Sequence, residues 1–107
     1  MKLKYQNKEI TLIECKNFYT RFKGFMLQKN INHALLFRKC NSIHTFFMKE
    51  PIDVIFTNED NIIISHYKNL NPNKIIWPQK LATRVYETPA NYFDINNNEK
   101  LEVIEWI

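Results

Sequence analysis

The chain has 107 residues, of which 45% are hydrophobic, 24% charged and 14% aromatic, and its formal net charge is +4. This length suits one globular domain, residues 1–107, and leaves no room for separate catalytic and cofactor domains. No run approaches the ~20 apolar residues that span a membrane. The basic residues form no basic tail, so the simplest interpretation of the net charge is that it keeps the protein soluble.

The first part of the chain predicts a hairpin followed by a short helix. Apolar and polar residues alternate over 3–5 and again over 10–12, on either side of a polar turn, which is typical of two paired strands. Asn17 is a suitable N-cap, and Gly24 marks the end of the helix that follows it. We expect the apolar side chains at helical spacing to pack into the core. They are Phe18, Phe22, Phe25 and Met26.

The rest of the chain predicts short strands separated by Asn-rich turns and prolines. The predicted strands are 34–37, 42–48, 52–56, 62–65, 74–77, 82–87 and 101–105. Many short strands with a single helix predict a mainly β fold. We expect a single compact β-barrel or β-sandwich of short, mostly antiparallel strands with one short N-terminal helix.

The segment 40–48 carries the residue types with the most chemistry. In an extended strand Cys40, His44 and Met48 would share one face, and all three are possible ligands of a soft metal ion. Extended geometry would separate Cys40 from His44 by about 13 Å, so they could share an ion, or act as nucleophile and base, only if the chain folds back at Cys40. We therefore expect no metal and no cofactor, and a buried thiol beside a histidine that is hydrogen-bonded to a carbonyl.

Two carboxylates lie in otherwise apolar predicted strands. Asp53 and Glu87 each need water or a partner, because an unpaired buried charge is costly. Arg21 and His44 are the candidate partners. Two carboxylates near an arginine could act as general acid and base, although a structural ion pair is the simpler interpretation.

Nucleic-acid binding would rest on the basic residues around the predicted helix, Arg21, Lys23, Lys29, Arg38 and Lys39. Stacking on bases requires exposed aromatic side chains, and the nearby phenylalanines are expected in the core. The chain has no recognised nucleic-acid motif, and with one glycine a phosphate-binding loop is not expected. We expect no nucleic-acid partner.

Three motifs occur in the order and spacing of one known family. The segment 21–26 is similar to R-x-x-G-L-M, 40–56 resembles C-x-x-V-H-T-F-G-M-x-x-P-I-D-V-V-F, and 85–91 resembles V-L-E-L-P-A-G. The match runs over residues 10–104 and resembles the family called domain of unknown function 192, found in bacteria and archaea. The resemblance implies a compact, mostly β domain and no established reaction. Its motif residues would be Arg21, Cys40, His44, Thr45, Met48, Asp53 and Glu87.

The chain departs from the family pattern at three glycines. Asn91 and Asn98 replace two of them, and because Asn tolerates a left-handed backbone we expect both turns to survive. Phe47 replaces the third, and we expect its ring to fill space beside His44 and to narrow any pocket there.

These observations predict a non-enzymatic binding or accessory protein with a shallow polar site. In this hypothesis Arg21 and His44 hold an anionic or polar group of a small ligand or of another protein, and Asp53 and Glu87 orient them. Thr45 is the fifth candidate binding residue. Two alternatives remain open: a metal-dependent or Cys/His enzyme using Cys40 and His44, with Met48 as a further metal candidate, and a weak nucleic-acid binder.

The chain opens without a signal peptide, and two cysteines are too few for a disulfide framework. We therefore expect a cytoplasmic protein with free thiols, of bacterial origin.

Overall fold

The structure is a computed structural model that describes residues 1–105, apart from the side chain of Phe18. Within these residues seven strands form one sheet in the order β6-β5-β8-β3-β2-β1-β9, and the strands β4 and β7 form a separate ribbon. The elements are β1 (Lys2–Tyr5), β2 (Lys8–Glu14), α1 (Phe18–Lys23), β3 (Ala34–Arg38), β4 (Ile43–His44), β5 (Ile52–Thr57), β6 (Ile63–Leu70), β7 (Ile75–Ile76), β8 (Arg84–Pro89) and β9 (Glu102–Ile104).

The pairings are antiparallel except between β2 and β3, which run parallel and are connected through α1. The prediction of a mainly β fold with mostly antiparallel strands and one short helix is confirmed. The predicted hairpin is β1–β2, in which Leu3 pairs with Ile10. Both side chains are buried, as the alternation of apolar and polar residues requires.

The sheet curls until its two edges meet. The backbone N–H of Ile63, at the start of β6, donates to the carbonyl of Glu99, just before β9, at 2.8 Å. Ile62 and Lys100 form an antiparallel bridge at the same place. The segment before β9 therefore closes the sheet against β6, at the opposite end of the strand order.

Alternate side chains of the central strands enter two different apolar clusters. On β3, Leu36 belongs to the cluster with the hairpin residues, whereas Leu35 and Phe37 belong to the cluster with Phe25 and Met48. Strand β8 behaves likewise, because Tyr86 joins the first cluster and Val85 the second. We call the side of the sheet that carries the second cluster the helix face, since the segment following α1 packs there.

The helix is shorter than its aromatic stripe. Asn17 caps it, accepting from the Thr20 N–H at 2.8 Å, and Gly24, at φ 47°, ends it. Among the side chains of this stripe that the structure describes, only Phe25, beyond the helix end, is fully buried, whereas Phe22 is 58% exposed. The prediction that Phe22 packs into the core is wrong because a six-residue helix makes fewer than two turns, too few to carry the whole stripe onto the sheet. The predicted core position of Phe18 lies outside what the structure describes.

The predicted strand 42–48 is also wrong beyond His44. Strand β4 has two residues, and Phe46 and Phe47 form a turn in which Phe47 has φ 61°. Thr45 causes the break, because its buried hydroxyl bonds a distant loop instead of continuing the strand. Among residues 1–105, no helix combines the length and the apolar character needed to cross a membrane.

Candidate ligand-binding site

A cavity of about 120 Å³ lies on the helix face, between α1, β4 and the strands β3 and β8. The side chains of Phe37 and Met48 form part of its apolar lining. We call this space the helix-face cavity. Its polar or ionisable lining residues are Arg21, Lys23, Cys40, Ser42, His44 and Glu87.

Glu87 forms the most unusual part of the lining. It lies on β8, two residues from Val85 and so on the same side of the sheet, and it is 3% exposed. Burial raises the pKa of its carboxyl from 4.5 to about 8, because removal from water disfavours the charged form. At neutral pH Glu87 therefore carries a proton and acts as a neutral hydrogen-bonding group.

Oε1 of Glu87 has no hydrogen-bond partner among the described residues. A Cβ at position 24 would lie 3.4 Å from this oxygen and 3.6 Å from the ring of Phe37. Gly24 thus lets the end of α1 approach the carboxyl closely, and its φ of 47° is a backbone conformation that other residues rarely adopt. The single glycine of the chain is the sequence signal that could have located this contact.

Arg21 supplies positive charge to the cavity. Its Nη1 donates to the carbonyl of Arg38 at 2.9 Å, and its guanidinium carbon lies 6.0 Å from the centre of the Phe37 ring. Within residues 1–105, no ion pair joins Arg21 to Glu87. Both groups influence the thiol of Cys15, whose pKa rises to about 11 chiefly through burial and then through Glu87, while Arg21 lowers it.

Cys40 and His44 border the same cavity, because Cys40 lies in the loop after β3 rather than in a continuous strand with His44. The Cys40 thiol donates to the carbonyl of Ser42 at 3.2 Å. Nδ1 of His44 accepts the backbone N–H of Phe46 at 3.2 Å, so the neutral imidazole carries its proton on Nε2. Nδ1 therefore accepts a backbone N–H instead of bonding the expected carbonyl, and Nε2 of the neutral ring is a donor, not a base.

No group of three or more His, Cys, Asp and Glu side chains within residues 1–105 is placed to hold a metal ion. The roles of Cys40, His44 and Met48 as ligands or as catalytic groups stay predictions.

Thr45 lies outside the residues that line this cavity. Its hydroxyl is fully buried, donates to the carbonyl of Asn71 at 2.8 Å and accepts the N–H of Lys74 at 2.8 Å. Thr45 thus ties the loop before β7 to the end of β4. Its conformation in the structure serves the ribbon, and a role in binding stays a prediction.

Asp53 also lies apart from the cavity. Val54 pairs with Glu87, and because neighbouring residues of a strand point to opposite sides, Asp53 points away from the helix face. Its Oδ1 accepts the N–H of Asn69 at 2.7 Å and its Oδ2 that of Asn91 at 2.9 Å. The structure therefore brings together Arg21, His44 and Glu87. It places Asp53 elsewhere, where its carboxylate holds the irregular end of β6 at Asn69 and the turn after β8 at Asn91.

The three positions where the chain lacks the family glycines all have a left-handed backbone. Asn91 has φ 60° and Asn98 has φ 71°, which confirms that both turns survive. Phe47 has φ 61° and its side chain is 66% exposed. The expectation that Phe47 fills space beside His44 is wrong, because its side chain points to solvent and does not line the cavity.

Two solved structures share this fold. One is a protein of Sinorhizobium meliloti 1021 described as a "putative transcription regulator", with a TM-score of 0.78 and 20% identity, matched over 94% of this chain and 89% of that chain. The other, of unknown function, is from Novosphingobium aromaticivorans, with a TM-score of 0.74 and 16% identity over 89% of this chain and 76% of that chain. At these identities the likeness shows the fold alone.

Archaeal relatives are closer in sequence. A UPF0127 protein of Thermococcus sibiricus is 37% identical over 95 residues, and a UPF0127 protein of Pyrococcus abyssi is 37% identical over 97 residues. These matches cover 83% and 85% of this chain. The chain spans 61% of the length of the Thermococcus protein and 81% of that of the Pyrococcus protein. The relatives are thus archaeal as well as bacterial, and a bacterial origin stays a prediction.

The family model described as "Uncharacterized ACR" matches residues 1–105. This match covers the hairpin, the helix-face cavity and the closing strand together. The chain belongs to this family, DUF192, whose members form a small, uncharacterised domain.

Proposed function

We propose that this chain is a non-enzymatic binding protein that acts as a single domain and holds a small anionic or polar group in the helix-face cavity. The unpartnered Oε1 of Glu87 is the observation that carries the proposal. Buried polar groups in proteins nearly always have a partner, and leaving one without costs about 1–3 kcal/mol. A ligand that hydrogen-bonds the carboxyl would offset that cost.

The charges of the lining favour an anion. Glu87 is neutral at neutral pH because burial raises its pKa to about 8, whereas Arg21 and Lys23 carry positive charge. His44 adds a donor at Nε2 when its ring is neutral. A carboxylate would accept from these donors, and charge-assisted hydrogen bonds of this kind are the stronger ones.

The size of the cavity limits the group that enters it. Its volume is about 120 Å³, somewhat less than the ~150 Å³ of an engineered cavity that binds benzene. The helix-face cavity therefore has room for a group of roughly six heavy atoms or fewer. A single carboxylate with one or two carbons fits this limit.

Acetate is a suitable first probe, followed by amide chemical shifts in an NMR titration. We expect saturable shifts confined to residues 21–24 and 40–44, with methylammonium of similar size producing none. Arg21→Met should weaken acetate binding about 10-fold, a loss typical of one charge-assisted hydrogen bond. Lys100→Met is the matched control, since it removes the same charge from an exposed residue that does not line the cavity.

Absence of saturable shifts with acetate would refute the proposal. Equal weakening by Arg21→Met and Lys100→Met would also refute it, because acetate would then respond to net charge rather than to the cavity. Shifts spread over the surface would have the same meaning.

A cytoplasmic location is part of the same proposal. Cys15 and Cys40 are both free, and free thiols are usual where proteins are kept reduced. Fractionation of cells that produce the protein tests this, and recovery from the envelope fraction would refute it.

A further inference from the structure

An apolar groove lies directly beside the helix-face cavity. It follows the β4–β7 ribbon, has a volume of about 480 Å³ and is lined largely by Phe46, Ile75, Trp77 and Pro78. Ser42, Ile43 and His44 line both spaces. We call it the ribbon groove. The strand β4 is therefore the place where a polar, cationic cavity and an apolar groove meet.

The side chains of the ribbon groove are unusually exposed for their size. Trp77 is 73% exposed, and Ile75 and Phe46 are also exposed. Soluble proteins rarely leave large apolar side chains together at the surface unless they bind something there. Exposed apolar surface of this extent is typical of a binding site.

The ring of His44 connects the two parts. Its centre lies 5.1 Å from that of Phe46, which lines the groove, and 5.9 Å from that of Phe22, which lines the cavity. A ligand that occupies both spaces would lie against the three residues that line both, and His44 is one of them. Because Nδ1 is engaged by the backbone, Nε2 carries the ring proton at this junction.

We propose that the helix-face cavity and the ribbon groove form one site for the carboxyl terminus of a peptide, with the terminal carboxylate in the cavity and the last apolar side chains in the groove. This inference rests on the proposed function, because it uses the same cavity. Charge complementarity supports it, since Arg21 and Lys23 line the part that would receive the carboxylate. The apolar groove complements the side chains that precede that carboxylate.

The β4–β7 ribbon favours a peptide over a small apolar acid as the ligand. Within the described residues, β4 and β7 each have one strand neighbour, namely each other. Each strand therefore keeps one edge without a strand partner, and such edges hydrogen-bond the backbone of an added extended segment. A small apolar acid has no backbone amides to use this edge.

The test compares four probes by calorimetry: acetate, 3-phenylpropionate, acetyl-Ala-Phe-Leu with a free carboxylate, and the same peptide with a carboxyl-terminal amide. We expect the free peptide to bind at least about 10-fold more tightly than acetate, which is the gain from burying one large apolar side chain. The amide should bind at least about 10-fold more weakly than the free peptide, because it lacks the negative charge.

Variants separate the groove from the cavity. Trp77→Ser should weaken the free peptide about 10-fold and leave acetate binding unchanged. Leu81→Ser is the matched control, because Leu81 is equally exposed, at 74%, but does not line the groove. Thermal unfolding checks that both variants fold.

The outcomes are distinct. If acetate does not bind, the proposed function fails. If acetate binds but the free peptide binds no more tightly, this inference fails while the proposed function stands. If 3-phenylpropionate binds as tightly as the peptide, or the amide binds as tightly as the free peptide, the assignment to a peptide carboxyl terminus is refuted.

Discussion

Replacing Glu87 with glutamine tests whether burial keeps this carboxyl protonated. Burial raises its pKa from 4.5 to about 8 in the folded protein. Each pKa unit corresponds to about 1.36 kcal/mol, so the full difference is on the order of 5 kcal/mol. Because Glu87 is buried rather than solvent-exposed, this energy is not reduced by screening in water.

The sign follows from where the proton is bound. Between pH 4.5 and about 8 the folded protein keeps the proton of Glu87 while the unfolded chain releases it. The free energy of unfolding therefore falls as pH rises through this window, and the loss is complete above pH 8. Below pH 4.5 both states are protonated and the effect disappears. Cys15, whose thiol pKa is raised to about 11 by burial and then by Glu87, stays protonated throughout.

Glu87→Gln keeps the shape and the neutral hydrogen-bonding character but has no proton to release. The free energy of unfolding of Glu87→Gln, minus that of the wild-type protein, should increase by about 4 kcal/mol from pH 5 to pH 9. Urea unfolding at pH 5, 7 and 9 measures this difference. Glu102→Gln, in an exposed residue of β9, is the matched control and should show no such trend. If the free energies of unfolding of Glu87→Gln and of the wild-type protein differ by the same amount at all three pH values, the reasoning is refuted.

Three further predictions concern residues that shape the loops. Thr45→Val removes two buried hydrogen bonds at 2.8 Å and should lower the free energy of unfolding by about 1–3 kcal/mol in urea titrations. Thr45→Ser keeps the hydroxyl, and an equal loss in that variant would contradict the role assigned to the hydrogen bonds. Asp53→Ala leaves the backbone N–H groups of Asn69, in β6, and of Asn91, in the turn after β8, without their acceptor. This substitution should lower the free energy of unfolding by about 2–5 kcal/mol, and an unchanged thermal midpoint would show that Asp53 does not hold these two segments. Phe47→Gly relieves a left-handed backbone at φ 61° that costs about 1–2 kcal/mol, offset by about 0.5–1 kcal/mol of glycine entropy, so calorimetry should find a slightly higher midpoint, whereas Phe47→Ala should show no gain. A lower midpoint for Phe47→Gly would mean that the exposed ring stabilises the fold.

Local sequence patterns predict those strands whose pairing partners are close in sequence. The alternation around Leu3 and Ile10 predicts a hairpin, and these residues do pair. The same alternation does not predict the pairing of β2 with β3, which run parallel on either side of α1. The alternation also does not predict that the strand ends at Thr45. The Thr45 hydroxyl forms hydrogen bonds to residues 71 and 74, which are far along the chain.

The candidate site was predictable only in part, for a related reason. Polar residues in apolar surroundings drew attention to Glu87 and Asp53, but their separation depends on the register in which Val54 pairs with Glu87. A single strand does not reveal that register, and a shift of one residue exchanges the two faces. The protonation of Glu87 depends on burial by segments distant in sequence, so the composition of its own strand could not predict it.

The closing of the sheet has a consequence for synthesis of the protein. Among the described strands β1 is made first and its outer neighbour β9 last, and the residues just before β9 cover the start of β6. Until residues 98–104 have been made, both outer edges of the growing sheet lack these partners. Unpaired strand edges are templates for association with other chains. A growing chain therefore exposes both of these edges until synthesis reaches β9, when one short segment pairs with β1 and at the same time covers the start of β6.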